Sequence, residues 1–173
     1  MILFETERLR VRYFTENDRD HFFRLSGNEE VMRYIRAVST REESDAFLDE
    51  NIRAYAAFPN RGRWAVEERD SHIFAGSFAL IPVPWNDALM QLGYSLLPEN
   101  WGKGYATELT RAGLQYFFRT DPADEIYGVT EMPNVPSQKV LLKAGFVPVE
   151  KRWEGEKELQ LFIARRTGPG ISG

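Results

Sequence analysis

The middle third of the chain restricts the fold most. Three strand-like runs follow one another there: Trp64 with Val66, then residues 73–83, then residues 88–97. Only Asp70-Ser71 and Pro84-Trp85-Asn86-Asp87 separate them, and these residue types favour tight turns. The economical reading is an antiparallel meander. Residues 72–97 are also the least charged region, but Pro82, Pro84 and Asp87 interrupt them. The stretch is too broken to span a membrane, so buried paired strands are expected and no membrane partner.

Other elements group around that meander. Leu9, Val11 and Tyr13 alternate with Arg10 and Arg12, the period of a half-buried strand. Thr15, with Asp18 three residues on, has the spacing of a helix cap, and the helix it opens runs toward Gly27. A second cap, Thr40 with Glu43, precedes Phe47, Leu48, Ile52 and Tyr55 at helical spacing, ending near Pro59. Ala106, Leu109, Thr110, Gly113, Leu114 and Phe117 mark one face of a third helix. A strand over residues 126–130 follows, then a helix over residues 135–143 closed by Gly145. Residues 147–153 and 159–163 form a last strand pair. The result is a mixed α+β domain with a central sheet of about seven strands. At 173 residues the chain is expected to form one domain over residues 1–166, with residues 167–173 as a flexible tail.

Composition removes several functions. Lys and Arg number 22 against 26 Asp and Glu, a net charge of −4, which argues against a nucleic-acid-binding surface. With no cysteine, disulfides, cysteine zinc sites and thiol nucleophiles are excluded. His21 and His72 stand far apart without acidic neighbours at ligand spacing, so no metal site is expected. Charge by the fifth residue leaves no apolar signal-peptide core, and a cytoplasmic protein is expected.

The stretch ENWGKGYATEL, residues 99–109, carries the chemistry. A Walker loop requires lysine after its last glycine, where Tyr105 follows Gly104; a Rossmann fingerprint requires a small residue where Thr107 stands. What remains is a glycine loop between a strand and a helix. Free amide groups and the helix dipole there favour an anion, and glycine lets it approach closely. A lone glycine pair leaves both a plain turn and an anion cradle open.

Residues 92–109, LGYSLLPENWGKGYATEL, resemble the acetyl-CoA-binding core of the GNAT acetyltransferases, in particular the ribosomal-protein-alanine (RimJ/RimL-like) branch. The family's loop pattern, [QR]-x-x-G-x-[GA], is matched from Trp101 to Ala106 except at its first position. FETERLRVR near the start resembles the branch's opening strand, and NVPSQKVLLKAGF, residues 134–146, resembles its N-x-x-S helix. The resemblance covers nearly the whole chain. It implies the GNAT fold, an α/β/α sandwich with a mostly antiparallel sheet and flanking helices. It also implies an N-acetyltransferase with acetyl-CoA as co-substrate and no metal, acting on a primary amine: a protein N-terminal α-amine or a small molecule.

By the same resemblance, the amides of Gly102, Lys103, Gly104, Tyr105, Ala106 and Thr107 hold the CoA pyrophosphate. The backbone of Ser95, Leu96 and Leu97 pairs with the pantetheine arm as an added strand. Asn134 hydrogen-bonds the pantetheine, and Ser137 lies near the thiol and stabilises its departure, although both are also ordinary cap residues. Glu131 and Glu150 are the candidate bases for the amine proton. Gln91 departs from the acid that family members often carry there. Core packing or loop anchoring accounts for most of Trp64, Trp85, Trp101 and Trp153. Arg33, Arg36, Arg61 and Arg63 flank the family's acceptor groove, where they can meet an acidic substrate. A catalytically silent acyl-CoA sensor is the competing function, and a homodimer stays open.

Overall fold

The computed structural model describes residues 1–168. Eight strands form one sheet in the order β1-β2-β3-β4-β5-β6-β8-β7. They are β1 (Ile2–Glu5), β2 (Leu9–Arg12), β3 (Gly62–Glu68), β4 (Phe74–Val83), β5 (Asn86–Leu96), β6 (Glu125–Glu131), β7 (Val147–Glu154) and β8 (Lys157–Arg165). The helices are α1 (Arg19–Ser26), α2 (Glu29–Met32), α3 (Arg41–Ala54), α4 (Tyr105–Thr120) and α5 (Val135–Lys143). The sheet is antiparallel except between β5 and β6.

The meander is present as β3, β4 and β5, in continuous antiparallel register from Gly62↔Leu80 to Gly76↔Leu96. One strand more than expected arises at the start. Ile2–Glu5 is a separate edge strand paired with β2, and its short apolar run, half exposed at Ile2, shows no alternation to betray it. The sequence reading also omitted α2, which the Asn28 side chain caps by accepting from the Glu30 and Val31 amides. A helix of four residues offers no periodicity to detect. The α4 helix begins at Tyr105, just before the expected apolar face from Ala106, while α5 has the expected bounds. The tail expected over residues 167–173 falls, from residue 169 on, outside the described residues.

The core lies on both faces of the sheet. Trp64, Phe78, Leu109, Phe117, Ile126 and Phe146 belong to one cluster, with α4 packed across β5. Phe14, Phe22, Leu25, Leu48 and Phe74 form a second, beneath α1 and α3. Full burial of one such side chain contributes roughly 1.5–3 kcal/mol. Close approach of α4 requires Gly113, where a Cβ would lie 2.5 Å from Phe78 Cε2. A charged strap joins the first elements. Arg12 contacts Asp18 at 2.9 Å and Glu67 at 2.8 Å, and Asp18 also accepts from the Thr15 amide at 2.9 Å. Asp18 thereby takes up the capping position expected of it, opening a 3-10 turn that leads into α1.

This topology fixes the site. The β5–β6 pair is parallel and meets at a single register position, Gln91↔Tyr127. Beyond it β5 stays with β4 while β6 pairs with β8, so the sheet is open between Leu92–Leu96 on one side and Gly128–Glu131 on the other.

Candidate active site

Strand β5 ends at Leu96 and a 3-10 turn, Pro98–Asn100, leads into the glycine loop. Gly102 and Gly104 have φ of +75° and +81°, left-handed values that a side chain resists. At Gly102 nothing lies within 4 Å of where a Cβ would stand, so backbone angle and not crowding demands glycine. Gly104 is the N-cap of α4 and supplies no capping side chain. Among the described residues, none of the amides of residues 102–107 donates to another protein group. Six consecutive amides without protein acceptors thus stand at the positive end of a 16-residue helix, where an anion is electrostatically favoured.

The loop is held from below by side chains. Arg8 donates to the Lys103 carbonyl at 2.8 Å and to Glu108 at 2.7 Å, and its guanidinium lies 4.7 Å from the Tyr105 ring centre. Glu108 also accepts from the Arg8 amide at 2.9 Å and the Thr6 hydroxyl at 2.8 Å. Burial alone would raise the Glu108 pKa, but these donors hold it below the ordinary carboxylate value. Trp101 donates its indole N–H to the Leu96 carbonyl at 2.9 Å, and Lys103 reaches Asn100 at 3.2 Å. Trp101 is thus a loop anchor and Trp64 a core residue.

A cavity of ≈ 460 Å³ occupies the opening in the sheet. Its walls come from β5 (Gly93, Tyr94, Ser95), β6 (Val129, Glu131) and the start of α5 (Asn134, Ser137). Met32 and Arg36, together with Arg63 on β3, close it on one flank. Asn134 caps α5 by accepting from the Ser137 amide at 3.3 Å, and its side-chain Nδ2 has no protein partner among the described residues. Tyr94 lines the same cavity as Ser137. Burial pushes its pKa up, against an opposing influence of Ser137.

The expected site residues separate here into those brought together and those not. Ser95, Asn134, Ser137 and Glu131 all line the cavity, Glu131 paired with Lys157 at 3.4 Å. Glu150 is exposed on the edge strand β7 and lies outside the cavity wall. The Leu97 amide donates to Ala75 at 2.9 Å, so it faces β4 and not the opening. Antiparallel alternation then turns Ser95 toward β4 as well, and directs the backbone groups of Leu96 and Tyr94 to the open side. Tyr94 is the residue that sequence reasoning missed, and its position two before Leu96 on one strand is the signal that would have found it. Of the four arginines expected near the acceptor groove, Arg36 and Arg63 line this cavity, whereas Arg33 and Arg61 do not.

Among the described residues, no group of three or more His, Asp or Glu side chains is placed to hold a metal ion. No helix among them is long and apolar enough to cross a membrane.

Known proteins share this fold. A family model described as an acetyltransferase (GNAT) domain matches residues 8–147. The chain is 30% identical over 147 residues to the uncharacterized N-acetyltransferase YoaA of Bacillus subtilis (strain 168), covering 83% of this chain and 82% of that one. The GNAT-family acetyltransferase from Bacillus anthracis superposes with a TM-score of 0.82 at 23% identity, over 95% of this chain and 98% of that one. RimL, a ribosomal alpha-N-protein acetyltransferase solved in complex with coenzyme A, superposes with a TM-score of 0.79 at 14% identity, over 95% and 98%. The family match and the B. subtilis relative make this chain a member of the GNAT acetyltransferase family, an N-acetyltransferase by class, and the two structural likenesses speak for its fold.

Proposed function

We propose that the chain transfers an acetyl group from acetyl-CoA to a primary amine, with the glycine loop holding the pyrophosphate and the sheet opening holding the pantetheine arm. The observation that carries this reading is the run of six unpartnered amides from residue 102 to residue 107, on two left-handed glycines. Such a cradle fits a pyrophosphate, with Lys103 and the Thr107 hydroxyl as further donors. The Leu96 N–H on the open side of β5 and the side-chain Nδ2 of Asn134 fit the amide groups of an extended arm. Bound there, acetyl-CoA would supply the acetyl group as an activated thioester.

The protein's own residues then manage two protons. An acceptor must be neutral to attack; an α-amine with pKa near 8 needs little help and a lysine near 10.4 much more. Glu131, the acid that lines the cavity beside Asn134, is placed to take the proton, its charge balanced by Lys157. Ser137, in the first turn of α5, holds a proton for the leaving thiol. Tyr94, which lines the same cavity, supports it as a positioning residue, and burial pushes its phenol further from ionisation. No such part falls to Glu150, which lies away from the cavity. The acceptor end admits a protein N-terminus or a small amine. That RimL is a ribosomal alpha-N-protein acetyltransferase supports the first.

Thermal melting and thiol release test the reading together. At a concentration near a hundred times its dissociation constant, acetyl-CoA should stabilise the protein by about 2.7 kcal/mol. CoA should then be released with a suitable amine, and Ser137→Ala should slow that release while the acetyl-CoA shift persists. Absence of any acetyl-CoA shift defeats the proposal; a shift without turnover across a broad amine panel supports the silent sensor.

A further inference from the structure

Arg36, just after α2, and Arg63, on β3, both face the cavity that Ser137 and Asn134 line. Their guanidinium carbons stand 4.7 and 4.9 Å from the centre of the Phe47 ring, so one aromatic ring on α3 holds both in place. Neither side chain makes an ion pair or a hydrogen bond to protein among the described residues. Among the described residues Arg33, Arg53 and Arg119 also lack such partners but are exposed, whereas Arg36 and Arg63 are half-buried on the cavity wall. Arg8, Arg10, Arg12, Arg19, Arg24 and Arg41 each meet a carboxylate within 3.0 Å, in a chain with more acids than bases.

Two like charges brought together in a half-enclosed space without a counter-ion repel each other and lose hydration. Burial, and for Arg63 the neighbouring Arg36, draws both below the ordinary guanidinium value, Arg63 to about 10. Both remain cationic at neutral pH. The main chain of Arg63 is fixed: its amide donates to Asn51 at 3.0 Å, and its carbonyl accepts from Asn51 at 2.9 Å and from the Tyr55 hydroxyl. The acids of the cavity are engaged elsewhere, Glu131 with Lys157 at 3.4 Å and Glu154 with Arg152 at 2.8 Å. The Arg36/Arg63 flank is therefore positive, rigidly mounted and lacking a partner.

The geometry points to an acceptor that carries a carboxylate as well as its amine, with Arg36 and Arg63 binding the carboxylate and the amine directed to the Ser137 end of the same cavity. This rests on the acetyltransferase reading above. Guanidinium groups suit carboxylates through paired, charge-assisted hydrogen bonds, and an anion there relieves the repulsion between them. The carboxylate can be that of a free amino acid or of an acidic side chain near a peptide N-terminus, and both present the same chemistry to the pair.

Matched acceptors separate these sources in a thiol-release assay. Free amino acids are compared with their α-amides, and a serine-aspartate-alanine peptide amide with its serine-asparagine-alanine counterpart. In one pair at least, the charged member should be used more than tenfold better, roughly the value of one charge-assisted hydrogen-bond set. Arg36→Gln and Arg63→Gln should each reduce that preference roughly tenfold through KM, leaving the apparent affinity for acetyl-CoA unchanged. Arg63→Lys, which keeps the charge on a fold-compatible side chain, should retain part of it. The proposal is overturned if charged and neutral members are used equally, if no charged member is used, or if the preference survives both glutamine variants. Acetyl-CoA binding measured on each preparation distinguishes these outcomes from failure of the acetyltransferase reading, and melting temperatures identify a variant that has merely misfolded.

Discussion

At the start of α3, the Thr40 hydroxyl accepts from the Glu43 amide at 3.2 Å and the Glu43 carboxylate accepts from the Thr40 amide at 3.3 Å. At the start of α4, Gly104 offers no side chain, and the amides around it meet no protein group among the described residues. Both helices are long and both begin beside a strand-rich core. Their difference is local and is written in residue type. The first start is closed by a reciprocal pair of side chains; the second is held open by two glycines whose left-handed backbone turns the donors outward. An open helix start is not a general habit of this chain, since Asn28 and Asn134 cap α2 and α5. It occurs where the loop is instead braced from beneath, by Arg8 and Glu108.

The strongest way to break this contrast is to impose a side chain on the open start. Gly104→Ala forces a left-handed angle on alanine, at about 1–2 kcal/mol. It also sets a Cβ 3.3 Å from Arg8 Nη2, within the brace itself. Acetyl-CoA affinity should fall at least tenfold by titration calorimetry, with a lowered melting temperature. Wild-type affinity in this variant would mean that the open amides do not bind the donor. The converse experiment, Thr40→Ala, removes the closed start of α3. It should cost about 1 kcal/mol in a denaturant melt and leave acetyl-CoA affinity unchanged. A change in affinity there would show that the two starts are coupled, and the contrast would lose its functional meaning.

The same contrast explains what the sequence disclosed. Conformations set by the backbone leave a local trace, because Gly102, Gly104 and Asn134 suit the angles and caps that their own positions need. The glycine loop and α5 were therefore legible, as was the meander, whose turns leave no alternative pairing. What escaped depends on contacts distant in sequence. That β8 lies between β6 and β7, and that β5 and β6 part after Gln91, are properties of pairing and not of either strand alone. The orientation of Leu97 follows from its bond to Ala75 in the neighbouring strand, so its composition could not reveal it. Glu150 looked equivalent to Glu131 because each acid sits at a strand, and only the sheet order puts Glu150 on an edge facing solvent. Tyr94 and Ser137 come to one cavity from β5 and α5, which no periodicity encodes. The arginines illustrate the intermediate case: their positions near a groove were readable, but their lack of counter-ions is a fact of three-dimensional placement.

The smallest effect concerns the brace. Glu108 is held below its ordinary pKa of 4.5 by donors from Arg8 and Thr6, against the opposing influence of burial. A carboxylate whose folded pKa is depressed adds stability that is complete above its unfolded value and disappears as pH falls through the folded one. Wild type should therefore melt above Glu108→Gln at neutral pH, and the gap should close as the pH drops below 4.5. Because the Arg8 side chain is 44% exposed, solvent screening should keep that gap below about 1 kcal/mol. Acetyl-CoA protection against melting should decline over the same range, since the amides stay aimed only while the loop is braced. The α3 start provides the control: in the Thr40→Ala background the gap should close in the same way, because that cap does not touch the brace. A gap that stays constant from neutral pH into acid would remove Glu108 from its part in holding α4 open.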